Sequence, residues 1–94
     1  MSIDGPMANA IRQTLQDALS PGVLEIINDS ARHAGHSGDN GTGESHFSLT
    51  VVASQFAGLS RPARHRMIYQ LLDIYFKSGL HALSIKAFAP GEQN

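Results

Sequence analysis

From His46 to Ser54 apolar and polar residues alternate, with Phe47, Leu49 and Val51 on one side and Ser48 and Thr50 on the other. Two-residue alternation marks a strand that buries one face and leaves the other half open. Flanking helical periodicities supply the cover for that face. Ala8, Ile11, Leu15, Ala18 and Leu19 fall at helical spacing, and Ser20-Pro21-Gly22 stops that helix. Ile68, Leu71, Leu72, Tyr75 and Phe76 follow i, i+3, i+4, i+7, i+8, the stripe of a helix packed on a sheet. Ser60 caps this second helix, Pro62 stands where a helix start tolerates it, and Lys77 and Gly79 mark its end. Gln55 to Ser60 reads as a short helical turn broken at Gly58. The β-branched run Val23 to Ile27 predicts another strand, and Leu83, Ile85 and Ala87, alternating with Ser84 and Lys86, predict a third.

The order α-β-β-α-β predicts an α+β domain with a three-stranded mixed sheet packed by helices. Strands one and two form an antiparallel hairpin, and a right-handed crossover makes strand three parallel to strand two. One domain covers residues 1–94, with 1–6 and 90–94 expected to fray. In this topology the end of strand one and the starts of strands two and three share one edge.

With 94 residues and no cysteine, the chain has no disulfide to hold it, no thiolate metal cage and no cysteine nucleophile. The absence of cysteine fits a reducing compartment, and no apolar run reads as a signal peptide or membrane span, so a cytoplasmic location is expected. The Asn28-Asp29-Ser30 glycosylation pattern has no meaning without secretion. A net charge of -1 and a pI near 6.5 mean that any nucleic-acid affinity must come from a local patch. The metalloprotease His-Glu-x-x-His, the phosphate-binding loop and the Gly-x-Ser-x-Gly elbow are all missing. Gly38-x-x-Gly41-x-Gly43 reverses the dinucleotide-binding order and lies between strands. The expectation is a domain that binds partners and is not an enzyme.

Two constellations carry candidate chemistry. The hairpin connection Asp29 to Ser45 is far longer than the usual ~2–5 residues and interleaves Gly35, Gly38, Gly41 and Gly43 with His33 and His36. Imidazole is the commonest metal ligand, but His33-Ala-Gly-His36 is a weak metal motif alone, and a closed zinc site needs about four ligands. A partial site completed by a partner fits better. His46 and His81 begin strands two and three, so four of the five histidines are expected at one sheet end; each also reads as a hydrogen-bonded edge residue. The second constellation, Arg61-Pro-Ala-Arg64-His65-Arg66, gathers cations at a helix N-terminus, where the backbone dipole disfavours them. It reads equally as an anion-facing patch and as ion pairs with Glu25, Asp29 or other carboxylates.

Leu24-Glu-Ile-Ile-Asn-Asp-Ser30, Glu44-Ser-His-Phe47, Phe56-Ala-Gly-Leu-Ser60, Arg64-His-Arg-Met-Ile-Tyr69 and His81-Ala-Leu-Ser84 together resemble the BolA family, in order from about Ile11 to Pro90. The His-Ala-Gly-His loop resembles its histidine-bearing branch. The resemblance implies a fold like class II K-homology domains and a heterodimer with a monothiol glutaredoxin. In it a [2Fe-2S] cluster is held by the glutaredoxin cysteine, a glutathione thiol and histidine of the BolA-like chain, with no cluster expected on the isolated chain. By the same resemblance His81 is the C-terminal ligand, His33 the loop ligand with His36 its rival, and His46 structural. Some family members are DNA-binding transcriptional regulators, which would use residues 56–69 here, with Arg61, Arg64, His65 and Arg66 facing DNA. K-homology domains grip nucleic acid with a Gly-x-x-Gly loop between helices. Here that turn has only Gly58, while Gly35-x-x-Gly38 lies between strands. Self-association of the isolated chain is left open by the sequence.

Overall fold

A computed structural model describes residues 5–30 and 44–92. The first helix, α1 (Pro6–Leu19), starts with Pro6 and buries Ala8, Ile11, Leu15 and Leu19. Ala18, expected on the same stripe, sits at its margin and is exposed. The helix start is held from a distance: the Glu44 carboxylate accepts hydrogen bonds from the Met7 and Ala8 N–H groups at 3.1 and 2.9 Å. It satisfies two donors that have no intrahelical partner, at the positive end of the helix dipole. Gly5 leaves room for this placement of the carboxylate, since a Cβ there would lie 2.5 Å from the Glu44 carboxyl group and the side chain would have to shift. At the other end Ser20 adopts a left-handed conformation, φ 43°, and its N–H bonds the Gln16 carbonyl.

The sheet has the order β1-β2-β3, formed by β1 (Val23–Asn28), β2 (His46–Val52) and β3 (Ala82–Phe88). β1 pairs antiparallel to β2, with Val23 opposite Val52 and Asn28 opposite Phe47. β3 pairs parallel to β2, with His46 opposite Ala82 and Val52 opposite Phe88. The expected antiparallel hairpin and the parallel pairing of β3 with β2 are both present. This register lines up Leu24, Ile26, Phe47, Leu49, Val51, Leu83, Ile85 and Ala87 on one face, and these residues form or flank the core.

A 3-10 turn, Ser54–Phe56, sends fully buried Phe56 into the core, and Gly58 then turns the chain with φ 79°. The next helix, α2 (Arg61–Leu71), is capped by Ser60, whose hydroxyl accepts from the Ala63 N–H. The sequence predicts one helix running to Lys77, but the structure breaks it at Leu72, and a short α3 (Asp73–Phe76) follows. There the Tyr75 N–H bonds the Leu72 carbonyl, a tighter i→i+3 step. The redirected Tyr75 hydroxyl meets the Thr14 hydroxyl at 2.6 Å and ties α3 to α1. Among the described residues, no helix is long and apolar enough to cross a membrane.

Leu49 sits in the middle of the buried face and is fully enclosed. Leu49→Ala should cost about 2–5 kcal/mol in urea unfolding. Ile74, 64% exposed, is the contrast, and Ile74→Ala should change stability by no more than about 0.5 kcal/mol.

Candidate functional site

The sheet end where β1 stops and β2 and β3 start is bound together by two serines. The buried Ser30 hydroxyl accepts from the N–H groups of Ser45 and His46, at 2.8 and 3.1 Å. The Asp29 N–H donates to the His46 carbonyl at 2.8 Å. The Ser45 carbonyl in turn accepts from the N–H groups of both His81 and Ala82, at 2.8 and 3.1 Å. Ser45 therefore links the base of the long loop to the entry of β3. A side-chain bond from Ser48 to Asp29 closes the corner on the β1 side.

Two imidazoles lie on this corner. His46 is 7% exposed, and its Nδ1 shares a 2.8 Å hydrogen bond with the Ser45 hydroxyl. His81 immediately precedes β3, which begins one residue later than expected, and its side chain is exposed. The ring centroids are 5.2 Å apart with planes tilted by 49°. A shallow cleft of about 180 Å³ opens beside them, lined by Asp29, His46, Phe47, Ala82, Leu83 and Ser84. His33 and His36 lie outside the described residues. Both ends of the segment that carries them, Ser30 and Glu44, are anchored at this corner or at the adjoining start of α1. Among the described residues no three His, Asp or Glu side chains are grouped to hold a metal ion.

The arginine run divides. Arg61 and Arg66 are exposed and His65 is half-buried. Arg64 turns inward, which corrects the expectation that it faces DNA. Its Nε donates to the Leu59 carbonyl, and its Nη1 donates to the Ala87 carbonyl and to Glu92 at 2.6 Å. The reason is packing geometry: the long side chain spans from α2 to the end of β3 and satisfies carbonyls that would otherwise lack donors. Its carboxylate partner is Glu92, rather than Glu25 or Asp29. Glu92 also accepts from the Ala89 N–H at 2.7 Å, so the tail expected to fray from Pro90 is held as far as Glu92.

The family model for BolA-like proteins matches residues 15–92. The chain belongs to the BolA family. This BolA-like chain is 48% identical over 87 residues to a Sinorhizobium protein described as an uncharacterized protein in the cobS 5' region, covering 92% of this chain and 94% of that one. It is 46% identical to SufE-like protein 1 of Arabidopsis thaliana and 42% identical to mouse BolA-like protein 1, in both cases over 94% of this chain. It spans 25% of the first and 61% of the second. Among solved structures, the BolA domain of SufE1 from Arabidopsis thaliana superposes with a TM-score of 0.87 at 46% identity, covering 96% of this chain and 99% of that one. BolA1 from the same plant gives a TM-score of 0.84 at 39% identity, covering 99% of this chain and all of that one.

Three features of the BolA-like chain escape the sequence reading: the Ser30–Ser45 stitch, the Glu44 cap and the Arg64–Glu92 pair. Each joins residues 15 or more positions apart. The first two had a faint signal, since Ser30, Glu44 and Ser45 stand in the segments that carry the family resemblance.

The ion pair has a pH signature. Hydrogen bonds from Arg64 and then from the Ala89 N–H hold the Glu92 carboxyl far below its ordinary 4.5, at about 2. A depressed carboxyl contributes its full stability above the unfolded value and loses it as pH falls through the folded value. Urea unfolding should find Glu92→Gln less stable than wild type at neutral pH, with the gap closing as pH drops from 4.5 toward about 2. A gap constant across that range would show that the charge on Glu92 contributes nothing.

Proposed function

We propose that this chain is a non-catalytic adaptor that binds a monothiol glutaredoxin and lends imidazole to a [2Fe-2S] cluster shared between the two proteins. The observation that carries this reading is the exposed His81 ring on a hydrogen-bonded corner, beside the anchored base of the histidine loop. Its backbone is fixed by the Ser45 carbonyl, and its ring faces His46. His81 is the ligand proposed from the sheet, and His33, or His36 in its place, the ligand from the loop. Membership in the BolA family supports the partner, which the family resemblance implies.

The donor set suits a shared cluster and not a private one. Iron–sulfur clusters are held chiefly by thiolates, with imidazole replacing some of them in mixed sites. This chain has no cysteine, so every thiolate must come from outside, from the glutaredoxin and from glutathione. Mixed ligation raises the cluster potential, which suits transfer or sensing. The chain's own residues then have separable tasks. His81 offers a ring nitrogen to solvent, Ser45 fixes the strand entry, and His46 packs against the His81 ring while bonded to Ser45. Orienting a ligand through such neighbours is what makes a weak site selective.

The DNA-binding reading retains Arg61, His65 and Arg66. It loses Arg64 to Glu92, which leaves Arg61 and Arg66 as the full positive charges of that run, on a chain whose net charge is -1. No observation on the described residues favours it over the cluster reading.

Co-expression with a monothiol glutaredoxin should yield a brown heterodimer. His81→Ala should keep the fold and the heterodimer, while the cluster is lost or its visible and circular-dichroism spectra change. His46→Ala should keep the spectrum but lose about 1–3 kcal/mol of stability, because it removes a buried hydrogen-bonded ring. The opposite pattern would exchange the two roles. Spectra unaffected by both changes would refute histidine ligation from the sheet.

A further inference from the structure

Among the described residues β3 pairs with β2 alone and so presents an open edge on its other side. The directions of its backbone groups can be read from their partners. The Phe88 carbonyl accepts from the Ala53 N–H, on the β2 side. The Ala87 carbonyl accepts from Arg64 and the Leu83 carbonyl from the Tyr69 hydroxyl, both on α2. Alternate residues of a strand turn their N–H and C=O groups to opposite edges. Leu83, Ile85 and Ala87 therefore carry the open edge. Arg64 and Tyr69 prop its two ends, and Ile85 lies between them.

Ile85 borders a cleft of about 280 Å³ lined by Arg61, His65, Ile85, Lys86, Ala87 and Phe88. Its polar rim is formed by Arg61, His65 and Lys86, of which Arg61 and Lys86 are exposed cations. Glu92, the carboxylate in the adjoining cleft, is already paired with Arg64. A positive rim, an apolar floor and an open strand edge thus coincide on a chain whose net charge is -1.

We infer that this cleft docks an extended acidic segment of a partner protein, which pairs its backbone with Ile85 and sets carboxylates against Arg61 and Lys86. Strand addition of this kind draws affinity from main-chain hydrogen bonds and specificity from alternate side chains. Native proteins ordinarily blunt an open edge with a covering element or with inward charge; here α2 covers the ends and leaves the centre. A nucleic acid would match the cations with phosphates and could meet the strand edge only through its base edges, whereas a peptide offers the N–H and C=O of one residue together, the complement of an open strand edge. The segment docks on the second half of β3, clear of His81 at its entry, so it does not depend on cluster ligation.

The test titrates the ¹⁵N-labelled chain with a short peptide of alternating glutamate and valine. Controls are the matching lysine–valine peptide and a short oligothymidylate. The glutamate peptide should saturate, move the Ile85 amide downfield and confine its shifts to Arg61, His65 and residues 85–88. The Arg61→Ala/Lys86→Ala variant changes exposed side chains only; it should keep the parent spectrum and bind about fivefold or more weakly, as the loss of two surface charge pairs implies. Absence of glutamate-peptide binding would overturn the proposal. So would shifts elsewhere on the surface, unchanged affinity in the variant, equal binding of the lysine peptide, or oligothymidylate binding at the cleft in preference to the peptide.

Discussion

β2 is hydrogen-bonded on both edges, antiparallel to β1 and parallel to β3, and its register fixes where His46 and His81 stand. Because Asn28 faces Phe47 and His46 faces Ala82, the end of β1 and the entries of β2 and β3 meet at one corner. A slip of one residue in β2 would turn Phe47, Leu49 and Val51 out of the core. The burial of those three side chains therefore also enforces the placement of His46 and His81. The hydrophobic effect sets the register, and the Ser30 and Ser45 hydrogen bonds lock the corner that results.

The two histidines at that corner show how one strand end produces two different imidazoles. His46 is enclosed, bonded to Ser45, and sits where its removal would leave buried polar groups without partners. His81 is held through its backbone alone among the hydrogen bonds described and keeps its ring outward. A ligand offered to another protein's cluster needs the second kind of environment, rigid in the main chain and open at the ring. The open edge of β3 applies the same logic to a backbone: Arg64 and Tyr69 fix its ends, and the centre is left to a partner.

Much of this was legible in the sequence because it is local. The alternation around Leu49 and the helical stripe through Ile68 each lie within a few turns of chain, and the handedness of the crossover then leaves one topology for the sheet. Gathering histidines at one end follows from that topology for His46 and His81; His33 and His36 lie outside the described residues. What escaped was long-range and polar. Arg64 looks like one cation in a cluster until Glu92, 28 residues away, is folded against it. Glu44 reads as a loop residue until it is found capping a helix 36 residues upstream. The break at Leu72 escaped because the apolar stripe continues through it, while the contact that the redirected chain makes, Tyr75 with Thr14 on α1, is long-range. Periodicity reports which face is buried, and it carries no information about which polar partner will arrive there.

The central claim is that an imidazole of this chain is bonded to iron in the complex. Pulsed electron paramagnetic resonance on the reduced heterodimer tests it directly, with ¹⁵N-histidine incorporated into this chain and the glutaredoxin left unlabelled. Ligation by His81 should give a ¹⁵N hyperfine coupling of the strength of a directly coordinated imidazole, diminished in His81→Ala. A cluster whose reduced signal shows no ¹⁵N coupling would have no imidazole of this chain bonded to iron, and histidine ligation would be refuted.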